Sequence, residues 1–557
     1  MVSGARLIVD KLREKGVKTI FGIPGGAVLP LFDELYKDGD IEFILARHEQ
    51  GAAHMADGYA RATGRAGVVI VTSGPGATNL ATGIANAYLD SSPVVSFAGQ
   101  VPTSAIGYDA FQEANIFSMM IGLTKMNFLP RNLDELSSAI ENAFKIALSG
   151  RPGPVHIDIP RDVQLMEGEP KNDIFSYFYN PPTPSEEEIL LASKTLADAE
   201  RPIILAGGGV IMSGASNELV ALAELLNAPV VTTLMGKGSI PEDHPLSLGC
   251  IGMHGKLGAN KAVQESDVLL AVGVRFSDRT TGKLSGFAPK AKKIHIDIDK
   301  SEIGKLVNPD IGIVGDAKQV LSSIYSNLLK MVQKGKAGRW GERLKQLKKE
   351  SEFLYDYDAV PMKPSTVVKI LNEYVAPSDF VTTEVGQCQM YASLHFLAKR
   401  PRQFISSGGL GTMGFGLPAA IGVKAAFRSQ RVFDIAGDGS FFMTCNQLPV
   451  SVDYNLPIIV VVLNNRFLGM VRQWQELFYG KRYIAVDLKG KADIAKVSEG
   501  FGARAFKVSR IGELKEALQT AIRENETTVI DVAVEREDNV FPMIPPGATL
   551  NEIMLGR

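Results

Sequence analysis

Two short apolar runs, Arg431 to Ala436 and Leu456 to Leu463, constrain this chain more than any other feature. Each has the length and β-branched content of a strand buried on both faces of a parallel sheet. Each stops abruptly in turn-forming residues: Gly437-Asp438-Gly439-Ser440 after the first, Asn464-Asn465 after the second. The segment between them holds one crossover helix, which Pro449 should kink or shorten. A right-handed crossover puts both carboxyl ends on the same edge of the sheet. Asp438 and Asn465 are therefore expected to be neighbours, although 27 positions separate them.

An Asp carboxylate with an Asn carbonyl suits a hard cation, Mg²⁺ or Ca²⁺, rather than zinc or copper. Mg²⁺ keeps few protein ligands and takes phosphate oxygens and water for the rest. The helix expected to begin near Ser440 points its free N–H groups at the same spot, which favours an anion. Gly437 and Gly439 let the backbone come close. The chemistry points to a diphosphate held through a metal. A Gly-Asp-Gly-Ser stretch alone reads equally as a turn and helix cap; the Asn pair after the next strand separates the two readings.

The same alternation of strand, glycine turn and helix fills the chain, so the fold class is α/β with three parallel-sheet domains. In the first, Lys18 to Gly22 leads to Ile23-Pro24-Gly25-Gly26, Ile41 to Arg47 leads to His48-Glu49, and AGVVIVT leads to SGPGATN, with VHIDIP closing the domain. The helix EQGAAHMADGYARATG is rich in Gly and Ala, so another backbone should pack closely on it. His48 and His54 are six apart, not the four that a helical zinc pair needs. Glu49 reads on its own as a carboxylate favoured by a helix N-terminus. A proline-bearing linker, Lys171 to Glu188, precedes RPIILAGGGV, PVVTTLMGKG, SDVLLAVGVRFSDR and KKIHIDIDKSEIG. Gly207-Gly208-Gly209 lacks the full dinucleotide spacing and reads either as a tight turn or as a nucleotide site. The strand ending in Asp297 places a carboxylate where a ribose contact is usual. The basic run Gly335 to Glu352 reads as a solvated helix between domains. The expected boundaries are 1–170, 186–345 and 360–557.

A chain of 557 residues suits about three or four domains of roughly 150 residues. Its net charge of −2 gives no electrostatic case for nucleic acid. Cys250, Cys388 and Cys445 are scattered, which suits a reducing compartment. No apolar run approaches the ~20 residues that span a bilayer. The N-terminal stretch reads as an amphipathic helix leading into a strand, not a signal peptide. The expectation is a soluble cytoplasmic protein.

The GDGS…NN pattern resembles the motif of the thiamine-diphosphate-dependent decarboxylases and carboligases. NNRFLGMVRQWQ, RHEQGAAHMADGYAR, SGPGATN, YLDSSPVV and FPMIPPGATL are similar to the acetohydroxyacid synthases among them. The resemblance covers essentially the whole chain. It implies a pyrimidine-binding first domain, a central FAD domain and a diphosphate- and Mg²⁺-binding last domain. Glu49 would face the pyrimidine N1′, with Gly26 near the aminopyrimidine and Phe111 and Gln112 near the substrate. Gly386, Gln387, Gly411, Met413, Gly437, Asp438, Gly439, Ser440, Asn465 and Met470 would hold thiamine diphosphate, with Met413 wedged beneath it. The metal ligands would be Asp438, Asn465 and the carbonyl of Phe467. FAD would lie along Arg151, Gly207, Gly208, Gly209, Thr233, Leu234, Met235, His254, Gly273, Arg275, Asp278, Asp297 and Asp316. Arg279 would take the acceptor's carboxylate, a match for a planar guanidinium. Trp474 and Met470, four apart on one helical face, would shape the acceptor pocket. The chain departs from the family at Cys388, where His is usual, at Ser277, within RFDDR, and in GDGS for GDAS.

The implied activity decarboxylates pyruvate and joins the two-carbon unit to a second 2-keto acid, pyruvate or 2-ketobutyrate, at the start of branched-chain amino acid synthesis. FAD would be structural, because no electrons are transferred overall. Glu49 and Asp438 would meet across a subunit interface, in a homodimer or dimer of dimers, with a small regulatory subunit as a further partner. The C-terminal tail can fold over the site in that family. A pyruvate oxidase-like enzyme and a non-catalytic regulator on the same fold are the rival readings. RFSDR, Trp474 and the tail speak against the first, and intact Glu49, Asp438 and Asn465 against the second.

Overall fold

The apolar runs gather into three six-stranded sheets, each parallel throughout. The computed structural model describes residues 1–171, 174–332 and 339–556. Residues 172–173 of the expected linker and 335–338 of the basic run lie outside them.

The first sheet contains β1 (Thr19–Ile23), β2 (Glu42–Leu45), β3 (Gly67–Val71), β4 (Val94–Gln100), β5 (Met126–Phe128) and β6 (Val155–Pro160), in the order β2-β1-β3-β4-β6-β5. The second contains β7 (Pro202–Ala206), β8 (Val230–Thr232), β9 (Ser247–Cys250), β10 (Val268–Val272), β11 (Lys292–Asp297) and β12 (Ile311–Val314), ordered β9-β8-β7-β10-β11-β12. That is the dinucleotide-binding order, whose ligand crevice opens where the winding reverses, between β7 and β10. The third contains β13 (Phe380–Thr383), β14 (Phe404–Ser406), β15 (Val432–Gly437), β16 (Ile459–Asn464), β17 (Arg504–Val508) and β18 (Thr528–Ala533), ordered β14-β13-β15-β16-β18-β17. The third sheet repeats the winding of the first. Central strands such as β3, β7, β10 and β15 are buried almost end to end, as their unbroken apolar runs require.

The crossover from β15 to β16 breaks as Pro449 demands. A helix over Asp438–Thr444 gives way to a 3₁₀ turn at Cys445–Gln447, and Pro449 sits in the first turn of a new helix, Leu448–Asp453. The Gly/Ala-rich helix Glu49–Thr63 does receive a close neighbour, the helix Gly416–Ala426. A Cβ on Gly58 would lie 2.4 Å from the carbonyl oxygen of Ala419, and one on Gly422 would lie 1.9 Å from that of Met55. These pairings run in opposite senses, so the helices are antiparallel. Each follows the second strand of its own domain, so the contact joins equivalent parts of the two like-wound domains.

The basic run corrects the expectation of a solvated helix. Over Arg339–Glu350, Trp340, Leu344 and Leu347 recur at helical spacing and are buried in the central core, with the Trp340 indole donating to the carbonyl of Pro202 at 3.1 Å. The tail packs on the central domain. Ile544 and Leu550 enter the central core, the Ile544 N–H donates to Met253, and the Lys283 N–H donates to Ala548.

Candidate functional site

β15 and β16 pair in register up to Gly437 and Leu463, so Asp438 and Asn464-Asn465 leave the sheet side by side. Backbone N–H groups of Gly439 and Arg466 reach the Asp438 carboxylate. Burial outweighs them and pushes this carboxyl up to about 7. Asn465 is buried, its amide donating to Gln387 Oε1 at 3.0 Å and its Oδ1 accepting from the Phe467 N–H at 3.0 Å. Around them lies a pocket of about 70 Å³ lined by Gly386, Gln387, Cys388, Met413, Gly437, Asp438, Gly439, Ser440, Asn465, Phe467 and Met470.

Three helices begin at this pocket: Gln387–His395, Asp438–Thr444 and Gly469–Phe478. Their first N–H groups have no partner within the helix, and their dipoles sum to positive potential at one place. A carboxylate, an amide oxygen and three helix N-termini form a donor set for a hard cation bridged to a diphosphate. Among the described residues there is no cluster of three His, Cys, Asp or Glu, the set that a transition metal would require. Gly439 is needed by proximity, because a Cβ there would stand 2.7 Å from Leu468. The helix starts at Asp438, earlier than expected, and Ser440 spends its hydroxyl on Gly437, accepting from the N–H and donating to the carbonyl. Gln387 likewise spends its side chain on Asn465, Gln473 and Asp538, so it holds Asn465 in place and offers the pocket its backbone. Cys388 is buried and burial raises its thiol, so it stays neutral.

A second, larger cavity of about 1070 Å³ is lined by all three domains and shares Val385 and Met470 with the first. It lies at the reversal of the central sheet. Turns after β7 and β10 meet there, the Gly209 N–H donating to Gly273 at 3.2 Å, and a Cβ on Gly207 would lie 2.0 Å from that carbonyl oxygen. Gly207 therefore lies beneath the wall, while Gly208, Gly209, Arg151, Thr233, Leu234, Met235, His254, Gly273, Arg275, Asp278, Asp297, Asp316 and Gly411 line it. Arg275 has no ion pair among the described residues, and Arg151 is paired with Glu302 at 2.8 Å. Burial holds the His254 imidazole down at about 4, so it is neutral, and its Nδ1 lacks a partner. Burial pushes Asp297, at the end of β11, up to about 6. A free guanidinium, an unpartnered imidazole nitrogen and glycine turns at the reversal fit a dinucleotide. Thr233 and Asp316 also cap local turns, accepting from Gly236 and from Lys318 and Gln319.

At the rim, Arg279 of the central domain lies over the Trp474 ring at 5.3 Å, and its Nη1 is 3.2 Å from the Met253 sulfur. The indole Nε1 of Trp474 is buried without a partner. Arg279 thus meets Trp474 and Met470, which are distant from it in sequence, where the two cavities join.

The first-domain residues form a separate group. Glu49 opens its helix, and Asn79 donates to its Oε2 at 2.9 Å. A Cβ on Gly76 would sit 3.5 Å from Oε1, and one on Gly74 would sit 2.8 Å from the carbonyl oxygen of Gln112, so one turn links Glu49 to Gln112. Gly26 faces open space, and Phe111 is 90% exposed. None of these four lines either cavity. His54 and Arg61 both meet Phe415 and Arg61 donates to Ser406, so the helix packs on the third domain along its length, while Glu49 at its start lies outside both cavities.

Sequence reasoning missed the buried charges behind these sites. Glu384 accepts from the N–H groups of Gly414 at 2.7 Å and Leu417 at 3.1 Å, beside Asp434. Burial pushes both carboxyls up. Asp57, Arg61 and Asp90 form a second buried set. Asp57 and Arg61 sit four apart on one helix, a spacing that could have signalled their pair; Asp90, Glu384 and Asp434 have no such signal, because their partners come from other elements.

The winding gives three parallel-sheet domains with one pocket suited to a diphosphate and a larger cavity at the reversal of the central sheet. Models of the thiamine pyrophosphate enzymes match all three parts: the N-terminal TPP binding domain over residues 2–119, the central domain over 190–324 and the C-terminal TPP binding domain over 384–532. A "Probable acetolactate synthase large subunit" of Methanocaldococcus jannaschii is 50% identical over 99% of this chain and 95% of that protein. Two Escherichia coli proteins, acetolactate synthase isozyme 3 and isozyme 2 large subunits, are 42% and 43% identical over 100% and 99% of this chain and 99% of each. The chain belongs to the thiamine pyrophosphate enzyme family, among the acetolactate synthase large subunits.

Proposed function

We propose that the chain decarboxylates pyruvate and joins the two-carbon unit to a second 2-keto acid, giving acetolactate from pyruvate and acetohydroxybutyrate from 2-ketobutyrate. The observation that carries this is the small pocket, where Asp438, Asn465 and three helix N-termini converge beside a rim holding Arg279 and Trp474. Thiamine diphosphate, when bound, supplies a carbon nucleophile that accepts the electron pair released with CO₂. Asp438, Asn465 and the Phe467 carbonyl would hold its Mg²⁺, and Gly386, Gly437 and Gly439 would let the diphosphate approach. Met413 would support it from below, and Arg279 would orient the acceptor by its carboxylate. FAD would occupy the large cavity as a structural element, because two pyruvates and a proton balance acetolactate and CO₂ without transferring electrons.

Glu49 would hold the proton against the pyrimidine ring of a cofactor in a second subunit's pocket, since it lines neither cavity of its own chain. A second copy would bring its Glu49, Gly26, Phe111 and Gln112 to this pocket. Exposed apolar side chains of the first domain suit such a homodimer, with Tyr108 81%, Ile121 62% and Leu29 55% exposed. The large-subunit naming of the relatives supports a small regulatory subunit as a further partner. We place the protein in the cytoplasm; among the described residues no helix is long and apolar enough to cross a membrane.

The test is anaerobic incubation of the purified chain with pyruvate, thiamine diphosphate, Mg²⁺ and FAD. Acetolactate with FAD still oxidised is expected. Acetyl phosphate or acetate with reduced flavin would establish the oxidase-like alternative.

A further inference from the structure

The segment between β14 and the helix Gly416–Ala426 separates the two cavities. Ser407, Gly408, Gly409 and Gly411 line the large one, and Met413 lines the small one. Two residues span at most about 7 Å, so a shift at Gly411 is felt at Met413. With four glycines before the helix, two of them at φ +71 and +91, the loop has little stiffness of its own.

Its shape comes from outside. Asp90, at the end of a first-domain helix, accepts from the Gly408 N–H at 3.1 Å and the Gly409 N–H at 2.6 Å. Asn86, one turn earlier, accepts from the hydroxyls of Ser407 at 2.6 Å and Thr412 at 3.0 Å. Arg61 ties Asp90 to Asp57 and donates to Ser406. Asp90 also stands in the wall of the large cavity. Met413 is thus pinned between Thr412, held from the first domain, and Gly414, held by Glu384.

We infer that Asp90 is a positioning residue that couples the two cofactors: a dinucleotide in the large cavity and Asp90 together set the loop, and the set loop presents Met413 to thiamine diphosphate. This rests on the function proposed for each cavity. The ordering of the loop is then shared by both ligands, so whichever binds first makes the second bind more tightly. Linkage makes the effect reciprocal.

The apo-protein is titrated with thiamine diphosphate and Mg²⁺ by calorimetry, with and without FAD, and with FAD by flavin fluorescence, with and without thiamine diphosphate. In the wild type each cofactor should raise the other's affinity by the same factor, about 5-fold or more. In Asp90→Asn that factor should fall to about 2 or below, whatever happens to the separate affinities. A purely structural role would weaken both affinities and leave the factor unchanged, so an unchanged factor overturns the inference, as does a wild-type factor of one. Failure of the wild type to bind either cofactor would overturn the underlying reading instead. If Asp90→Asn does not fold, Thr412→Val decides: it removes a single hydroxyl from Asn86, and the factor should fall part of the way; no change there also overturns the inference.

Discussion

The first and third domains wind their strands in the same order, yet the same edge of the sheet ends differently in each. In the third, turns and helix starts close over Asp438 and Asn465 to make a pocket. In the first, Glu49 is buried against Asn79 and Gln112 half-buried, while Gly26 and Phe111 are exposed, all of them outside both cavities. Their buried charges differ as well. The first domain balances Asp57 and Asp90 with Arg61, whereas Glu384 and Asp434 have no cation among the groups acting on them. Under the proposed function one winding supplies either half of a site, and the two halves of one chain would serve different sites.

The sharpest way to break this comparison is to damage each half separately. Glu49→Gln should cost about 10²–10⁴-fold in turnover, the usual worth of one positioned acid–base group. Asp438→Ala should lose activity through weakened cofactor binding, which added Mg²⁺ only partly restores. If the halves belong to different copies, dissociating and remixing the two dead variants in equal amounts should restore about a quarter of the wild-type sites, because half the dimers are mixed and each mixed dimer has one intact site. No recovery on remixing would mean that Glu49 and Asp438 act within one chain. Wild-type C2 hydrogen–deuterium exchange of thiamine diphosphate in Glu49→Gln would remove Glu49 from the chemistry.

A smaller effect sharpens the third domain's share. Trp474→Leu should keep acetolactate formation but lower the preference for 2-ketobutyrate, since one buried methylene is worth about 10- to 200-fold. Arg279→Lys should weaken both acceptors, because both present a carboxylate. Competition between the two keto acids, with both products quantified, separates these outcomes; an unchanged ratio in Trp474→Leu would make it a packing residue.

The smallest effect concerns pH. Burial pushes Glu384 from 4.5 up to about 7 and raises Asp434 too, so the folded state binds more protons than the unfolded one between those values. Stability should therefore be greatest below about pH 4.5 for this pair and fall as pH rises towards 7. Each extra proton held by the folded state makes that fall about 1.4 kcal/mol for every pH unit crossed. Burial alone would raise Asp57 also, but Arg61 holds it below its ordinary value, so its contribution is lost only on acidification. Urea midpoints at pH 5 and pH 8 should differ less in Asp434→Asn than in the wild type. Equal differences would mean that the pair is not the source.

Much of this was legible in the chain. Runs of β-branched residues ending in Gly-Asp-Gly-Ser and Asn-Asn determine that Asp438 and Asn465 share a sheet edge, since strand burial and crossover handedness are local rules. Pro449 determined the broken crossover, because a missing N–H acts wherever the helix lies. The small residues of Glu49–Thr63 announced a close partner but not which one. Only the tertiary structure decided that this partner is Gly416–Ala426, that it runs antiparallel, and that Glu49 lines neither cavity. Only packing turned the basic run into a core helix through Trp340 and Leu347, and gathered Arg279, Trp474 and Met470 at one rim. The buried Asp90, Glu384 and Asp434 were invisible for the same reason: a charge becomes an anchor through partners from other strands and domains, and neither periodicity nor spacing records who those partners are, whereas the i,i+4 spacing of Asp57 and Arg61 was legible.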